Sequence, residues 1–243
     1  GAVSLLLFGI EGLICLAMAI PLIVPLGALG GLFGYAISGA VRTRSSHVFG
    51  ALLVVPLAAL IEHPSPETFV ATTSIEIDAD VETVWKTVIA FPEIEEPPKG
   101  LFKLGVAYPI RARIAGSGVG AVRYCEFTTG TFVEPITHWE PPFRLGFDVS
   151  EQPEPMVELT PYEHVHPPHL EGSFCSVRGE FRLVPLNDGG TRLEGRTWYQ
   201  LDIGPQMYWK MWTDNLLHDI HLRVLGHIKR VSEAEGTDGA KDP

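Results

Sequence analysis

Charged side chains are nearly absent from the first quarter of the sequence. Residues 1–61 contain only Glu11, Arg42 and Arg44 and so carry a net charge of +1, whereas the whole chain carries −11. A run this poor in charge is typical of a segment embedded in a membrane. The remaining residues are correspondingly acidic, which favours a domain that stays in water.

Basic residues and cysteines are also scarce. The chain has 18 Lys and Arg against 29 Asp and Glu. Nucleic-acid binding needs clustered Lys and Arg that neutralise phosphates, so we expect no nucleic-acid partner. The three cysteines are too few for a disulfide framework, although Cys125 and Cys175 could pair if the fold joins them. Neither a CxxC zinc motif nor a GxSxG nucleophile motif occurs, and we expect no metal and no cofactor.

The N-terminal apolar segment is too long for one upright helix. It runs from residue 3 to residue 40, and a single span needs about 20 residues. Pro21 and Pro25 interrupt it, and several glycines follow them. Because proline breaks the helical hydrogen-bond ladder, the pattern predicts a hairpin of two transmembrane helices, residues 4–20 and 26–38.

A basic loop and a second apolar run complete the predicted membrane anchor, residues 1–62. Arg42 and Arg44 lie in the loop, and positive charge in short loops marks the cytoplasmic side. The second run, residues 48–61, is short for a span. If it crosses the bilayer, the following domain lies on the outer face; if it stays at the interface, the domain is cytoplasmic. We favour a cytoplasmic domain on the inner membrane, joined through a stiff linker, residues 63–69, that contains Pro64 and Pro66.

The rest of the chain predicts one α+β domain, residues 70–235, with a flexible tail, residues 236–243. Alternating apolar and polar residues predict strands, and a stripe that includes Trp209, Trp212 and Leu216 predicts a long C-terminal helix. Asp78 or Asp80 is a good N-cap for a helix that begins near Val81. The predicted strands cover residues 70–77, 106–115, 121–128, 131–139, 143–149, 174–184 and 192–201, and the long helix covers residues 206–233.

This order of elements, with the stretch SIEIDADVETVW at residues 74–85, resembles the SRPBCC superfamily of helix-grip domains. That superfamily includes START lipid-transfer domains, plant allergen-type steroid carriers and polyketide cyclase-like proteins. The resemblance covers residues 72 to about 233 and implies a curved antiparallel sheet around the last helix, with an apolar cavity between them. The membrane anchor and a Pro- and His-rich insertion, residues 151–172, depart from the common pattern.

The resemblance implies a binding or carrier protein for a hydrophobic small molecule, such as a lipid, isoprenoid or polyketide-like compound. The anchor adds the lipid bilayer as a second partner. The candidate cavity-lining residues are those on the predicted inner faces of the strands and of the last helix: Phe147, Val177, Thr197, Tyr199, Trp212 and Leu216.

Two other functions fit the sequence. Glu11, the small-residue helices and the Pro-rich insertion suit an accessory subunit of a larger membrane protein complex. A cyclase- or hydrolase-like enzyme would use His218 or His221 as a general base oriented by Asp214. No catalytic residue can be assigned from the sequence, and we weighed metal binding by His164, His166 and His169 with the helical histidines without adopting it.

Overall fold

The computed structural model describes residues 13–40, 67–157 and 172–239, with side chains as far as residues 35 and 235 in the two outer ranges. Glu11, the apolar run at residues 48–61, His164, His166 and His169 therefore lie outside the described residues.

The described chain contains three α-helices, one short 3₁₀-helix and seven strands. Apart from the first helix they follow the predicted order, and strand ends differ from the prediction by at most three residues. The elements are α1 (Leu13–Ala40), β1 (Thr68–Ile77), α2 (Val81–Ile89), the 3₁₀-helix (Gly100–Leu104), β2 (Pro109–Ala115), β3 (Val122–Phe127), β4 (Gly130–Glu140), β5 (Arg144–Asp148), β6 (Phe174–Pro185), β7 (Thr191–Leu201) and α3 (Gln206–Gly239).

All seven strands form one antiparallel sheet in the order β1-β7-β6-β5-β4-β3-β2. The long helix α3 packs on its inner face, against β1, β7 and β2. This is the α+β helix-grip arrangement that the sequence predicts. A core cluster that includes Val84, Leu145, Leu193 and Leu225 fills the space where α2 and α3 meet the sheet.

Helix α2 begins where the sequence places its N-cap. The carboxylate of Asp80 accepts a hydrogen bond from the backbone N–H of Thr83 at 2.9 Å, which satisfies one of the free donors of the first turn. The buried side chains Val84, Trp85 and Val88 then face the core.

The C-terminal half of α3 is pinned to the sheet and to α2 by polar contacts. The carboxylate of Glu233 accepts from the backbone N–H of Asp78 at 2.9 Å, and the ammonium of Lys229 donates to the carbonyl of Glu76 at 2.7 Å. The buried hydroxyl of Ser232 contacts that of Thr87 at 3.2 Å. These bonds fix the C-terminal half of α3 against β1 and α2.

The predicted break between two N-terminal helices is wrong. Helix α1 runs without interruption through Pro21 and Pro25. Each proline removes one backbone donor, but in an apolar segment a break would leave more backbone groups unpaired than the continuous helix does. Leu13–Tyr35 is long and apolar enough to cross a membrane, with a mean hydropathy of 2.4. A signal sequence or the core helix of a soluble protein meets the same description.

Candidate ligand-binding cavity

A cavity of about 210 Å³ lies between the inner face of the sheet and α3. Apolar side chains dominate its walls. The strands contribute Phe127, Phe132, Phe147, Phe181 and Leu201, and α3 contributes Leu216, Leu217, Ile220, Val224 and Leu225.

Three of the six predicted lining residues, Phe147, Thr197 and Leu216, border this cavity. Tyr199 and Trp212 do not. Tyr199 is fully buried against Phe69 and Phe174, and Trp212 packs in the cluster that surrounds the start of α1.

Phe147 reaches the cavity because of the residue opposite to it. Gly179 is its cross-strand partner on β6, and a Cβ atom at Gly179 would lie 2.4 Å from the Phe147 ring. The missing side chain leaves room for the ring to lie flat across β6. A larger residue at position 179 would push Phe147 out of the cavity wall.

Val177 lies on the opposite face of the sheet from the one predicted. The pairing of β6 with β7 shifts register between Ser176 and Arg178, so that the bulge turns Ser176 inward and Val177 outward. Ser176 is buried and lines the cavity, whereas Val177 is exposed. Cys175 is exposed and Cys125 is buried, and the two do not pair in a disulfide.

The first turns of α1 close one end of the cavity. Cys15 and Met18 border it, and with Ile14 they form a buried cluster with Val106 and Met156. The hydroxyl of Tyr208, at the start of α3, donates a hydrogen bond to the carbonyl of Met18. We call this end the mouth, because α1 is the covering element there.

An ion pair lies inside the cavity. Arg123 on β3 and Glu134 on β4 are cross-strand partners, and the guanidinium donates from Nη1 to the Glu134 carboxylate. Their side chains are 2% and 7% exposed, and both border the cavity. Burial alone would lower the pKa of the Arg123 guanidinium, but the Glu134 carboxylate outweighs it, so that the pKa is raised and the group stays charged.

The surroundings of the Arg123 guanidinium are aromatic. It lies 5.7, 5.4 and 5.5 Å from the ring centroids of Phe91, Phe147 and Phe181, distances at which a cation is attracted to a ring. Cys125 follows on the same face of β3. Burial, with the nearby Glu134 carboxylate, raises the pKa of its thiol to about 12, so it is a neutral packing group and not a nucleophile.

Arg123 and Glu134 are not among the site residues that the sequence predicts. Alternation did carry a signal: Ala121, just before β3, and Arg123 and Cys125 within it are buried at every second position. A cation therefore occupies a place where the pattern predicts an apolar side chain. That exception becomes informative only once Glu134 is known to lie opposite.

The two helical histidines bond to the sheet. Nε2 of His221 lies 2.8 Å from the hydroxyl of Thr197, and Nδ1 lies 3.1 Å from that of Thr73. Nδ1 of His218 lies 2.8 Å from the same Thr73 hydroxyl. Burial, with a smaller contribution from His218, lowers the pKa of His221 to about 4, so His221 is neutral at physiological pH.

The predicted pairing of Asp214 with a histidine is wrong. Its carboxylate accepts from the hydroxyl of Tyr199 at 2.6 Å and from the ammonium of Lys210 at 2.5 Å. Helical spacing places Asp214 and the two histidines on neighbouring turns, but side chains of the sheet bond to them instead: Tyr199 to Asp214, and Thr73 and Thr197 to the histidines. His221 borders the cavity, and within the described residues its ring nitrogens bond to threonine hydroxyls and not to a carboxylate.

The comparisons with known proteins concern the fold. No protein-family model matches the chain, and no curated protein matches it. A protein from Nitrosospira multiformis is similar at 20% identity with a TM-score of 0.42, covering 72% of this chain and 100% of its own. A norcoclaurine synthase point mutant from Thalictrum, solved with a transition-state analogue, is 12% identical with a TM-score of 0.43, covering 70% and 98%. A protein from Nitrosomonas europaea is 14% identical with a TM-score of 0.41, covering 69% and 96%. The chain is an α+β helix-grip protein because its seven-stranded antiparallel sheet packs against its long C-terminal helix.

Proposed function

We propose that this chain is a membrane-tethered binding or carrier protein for a hydrophobic small molecule. The observation that carries the proposal is the largely apolar cavity of about 210 Å³ between the sheet and α3. Binding sites for small molecules are concave and mostly apolar with a few polar groups, and the walls described above have that composition. A volume of about 210 Å³ is small for a binding cavity and favours a small or slender ligand.

Exposed apolar surface on α1 supports the tether. Beyond Met18 the helix leaves the domain, and its large apolar side chains are exposed: Ile20, Ile23, Val24, Leu26, Leu29 and Leu32. A surface this apolar is unstable in water and is suited to a bilayer. Because α1 also closes the mouth, a bilayer around it would bring dissolved hydrophobic molecules next to the cavity.

The packing of α1 supports the outer-face alternative for the domain. Ile14 and Met18 lie against the domain, and the sheet of the same domain begins at Thr68. Met18 and Thr68 therefore lie on the same side of any bilayer that α1 crosses. Arg42 and Arg44 follow the far end of α1, where the positive-inside rule expects the cytoplasm.

Cys175 provides the test of sidedness, because it is the exposed thiol among the described cysteines, while Cys15 and Cys125 are buried. A maleimide that cannot cross membranes should label Cys175 in intact cells or spheroplasts. Labelling that requires lysis would place the domain in the cytoplasm. A Cys175→Ser variant shows the background from the two buried thiols.

The carrier proposal is tested by purifying the full chain in mild detergent and identifying bound molecules by mass spectrometry. Ser176→Phe fills the cavity from the inner face of β6, whereas Val177→Phe adds the same ring to the outer face. We expect the bound molecule to be lost from the first variant and kept in the second. Equal ligand content in both folded variants would contradict binding in this cavity.

A second candidate, a subunit of a membrane complex, has one observation in its favour. Gly27, Gly30, Gly31 and Gly34 share one face of α1, and a Cβ atom added at any of them would meet nothing within 4 Å. Such small-residue faces let membrane helices approach closely. Gly31→Leu should release a partner, if one exists, in detergent chromatography, and a wild-type chain that migrates as a free monomer would argue against the candidate.

A further inference from the structure

The deep end of the cavity differs chemically from the mouth. Cys15 and Met18 border the mouth, whereas Arg123 and Glu134 border the interior. The guanidinium lies among the rings of Phe91, Phe147 and Phe181, and these side chains belong to the main core cluster or pack against it. A ligand that fills the cavity therefore meets a buried ion pair surrounded by aromatic rings, within a wall that is largely apolar but also contains Ser176, Thr197 and His221.

One donor of this ion pair is unused within the described residues. Arg123 donates from Nη1 to Glu134, but its Nε–H is buried and has no hydrogen-bond partner in that part of the chain. Buried donors are nearly always bonded, and a free one on a residue that borders a cavity calls for an acceptor. Arginine offers only donors, so the missing group must be an acceptor.

The charge balance selects the kind of acceptor. Glu134 already compensates the cation of Arg123, so a carboxylate or phosphate would add an unpaired negative charge inside an apolar cavity. An ammonium group has no acceptor to offer. A neutral carbonyl oxygen accepts from Nε and leaves no donor of its own unsatisfied.

We propose that the cavity binds a slender apolar molecule with a neutral carbonyl group, whose oxygen accepts a hydrogen bond from Arg123 Nε while the apolar part extends toward Met18. This inference rests on the proposed carrier function and names the chemical class of its ligand. Glu134 holds the guanidinium in place, and the three rings exclude water from the carbonyl. The same arrangement discriminates against fatty acids and amines of equal length.

The test uses 2-decanone, labelled with ¹³C at the carbonyl, and decane as a matched probe without oxygen. Each is added to the full chain in nanodiscs, with empty nanodiscs as the reference for molecules dissolved in lipid. We expect a bound ketone resonance downfield of the lipid-dissolved one, and binding about tenfold tighter than that of decane. Decanoate and decylamine should compete poorly.

Two variants tie the signal to Arg123. Arg123→Lys keeps the cation near Glu134 but lacks the Nε donor, and the combined Arg123→Met and Glu134→Leu variant makes the site apolar. Both should bind decane and lose the downfield shift and the preference for ketone. Arg192→Gln, which removes an exposed arginine, should behave as wild type.

The outcomes separate the two proposals. If wild type binds decane but shows no ketone preference, or prefers decanoate, the carbonyl inference is overturned while the carrier function stands. If neither probe gives a bound signal in wild type, the carrier function itself fails. A ketone shift that survives in both variants would assign the carbonyl to another donor and overturn the inference.

Discussion

The two faces of the sheet carry the same kind of charge pair in different surroundings. On the inner face Arg123 and Glu134 are almost fully buried, whereas on the outer face Arg192 and Glu76 lie 3.0 Å apart with side chains 51% and 63% exposed. Both are direct cross-strand pairs. The surroundings, and not the residue types, decide what each pair contributes.

The outer face also carries a partly buried network around Glu180, whose side chain is 9% exposed. Glu180 accepts from Arg144 at 2.7 Å and lies 3.8 Å from Arg196, which also pairs with Glu194 at 2.5 Å. Water screens the exposed Arg192–Glu76 pair, which therefore contributes little to stability. The inner pair has lost its water, so removing one partner has a much larger effect than removing both.

The largest effect is expected for Glu134→Ala. It leaves the Arg123 cation buried without its counter-charge, and we expect the free energy of unfolding to fall by about 3–5 kcal/mol. Urea unfolding of the full chain in mild detergent, followed by tryptophan fluorescence, measures the change. A loss of less than about 1 kcal/mol would mean that the inner pair is no more important than an exposed one.

The pH dependence of stability tests another buried polar group of the inner side, His221. Because burial lowers its pKa to about 4 in the folded chain, the unfolded chain binds a proton between pH 6.5 and 4 that the folded chain does not. His221 therefore makes its full contribution to the free energy of unfolding above pH 6.5. That contribution falls by up to about 3 kcal/mol as the pH drops to 4. The difference between wild type and His221→Gln in unfolding experiments from pH 7 to 4 isolates it. Parallel curves would contradict the assignment.

A smaller change is expected when both members of the inner pair are replaced. The combined Arg123→Met and Glu134→Leu variant removes the desolvation cost together with the attraction, so its stability should lie within about 2 kcal/mol of wild type. A double-mutant cycle with the two single variants gives the coupling energy. A double variant as unstable as Glu134→Ala would show that packing, and not charge, holds the site.

The smallest effect is expected for Arg192→Gln. The exposed pair should contribute at most about 1 kcal/mol and lose that contribution in high salt. Unfolding at two salt concentrations checks both points. An effect comparable to that of Glu134→Ala would remove the contrast between the two faces.

The sequence predicted the strands and the grip because alternation and turn residues are local signals. In β7 the buried positions Thr191, Leu193, Gly195, Tyr199 and Leu201 follow the expected period of two. In β6 the same rule misplaced Val177, since a bulge adds one residue to a strand without changing its composition. Thr197 and Leu216 border the cavity, because the period of two along β7 and the helical period of α3 place them on the inner faces.

The remaining failures arose where distant residues decide between local alternatives. Pro21 and Pro25 locally favour a break, yet α1 continues through both. Asp214 and the histidines share a helix, but Tyr199 and Thr73 from the sheet determine their bonds. Cross-strand pairing of Arg123 with Glu134 likewise depends on register, which one sequence does not specify.

The two ends of α3 are held to the rest of the domain by different contacts, and this difference decides which end moves when the cavity opens. Glu233, Lys229 and Ser232 bond its C-terminal half to β1, to the turn after β1 and to α2, while its first turns pack against the side chains of α1. When the cavity expands to admit a ligand, we therefore expect the first turns of α3 to move and its C-terminal half to stay in place. Amide hydrogens near Trp209 should exchange before those near Ile228, and a guest in the cavity should slow the former most.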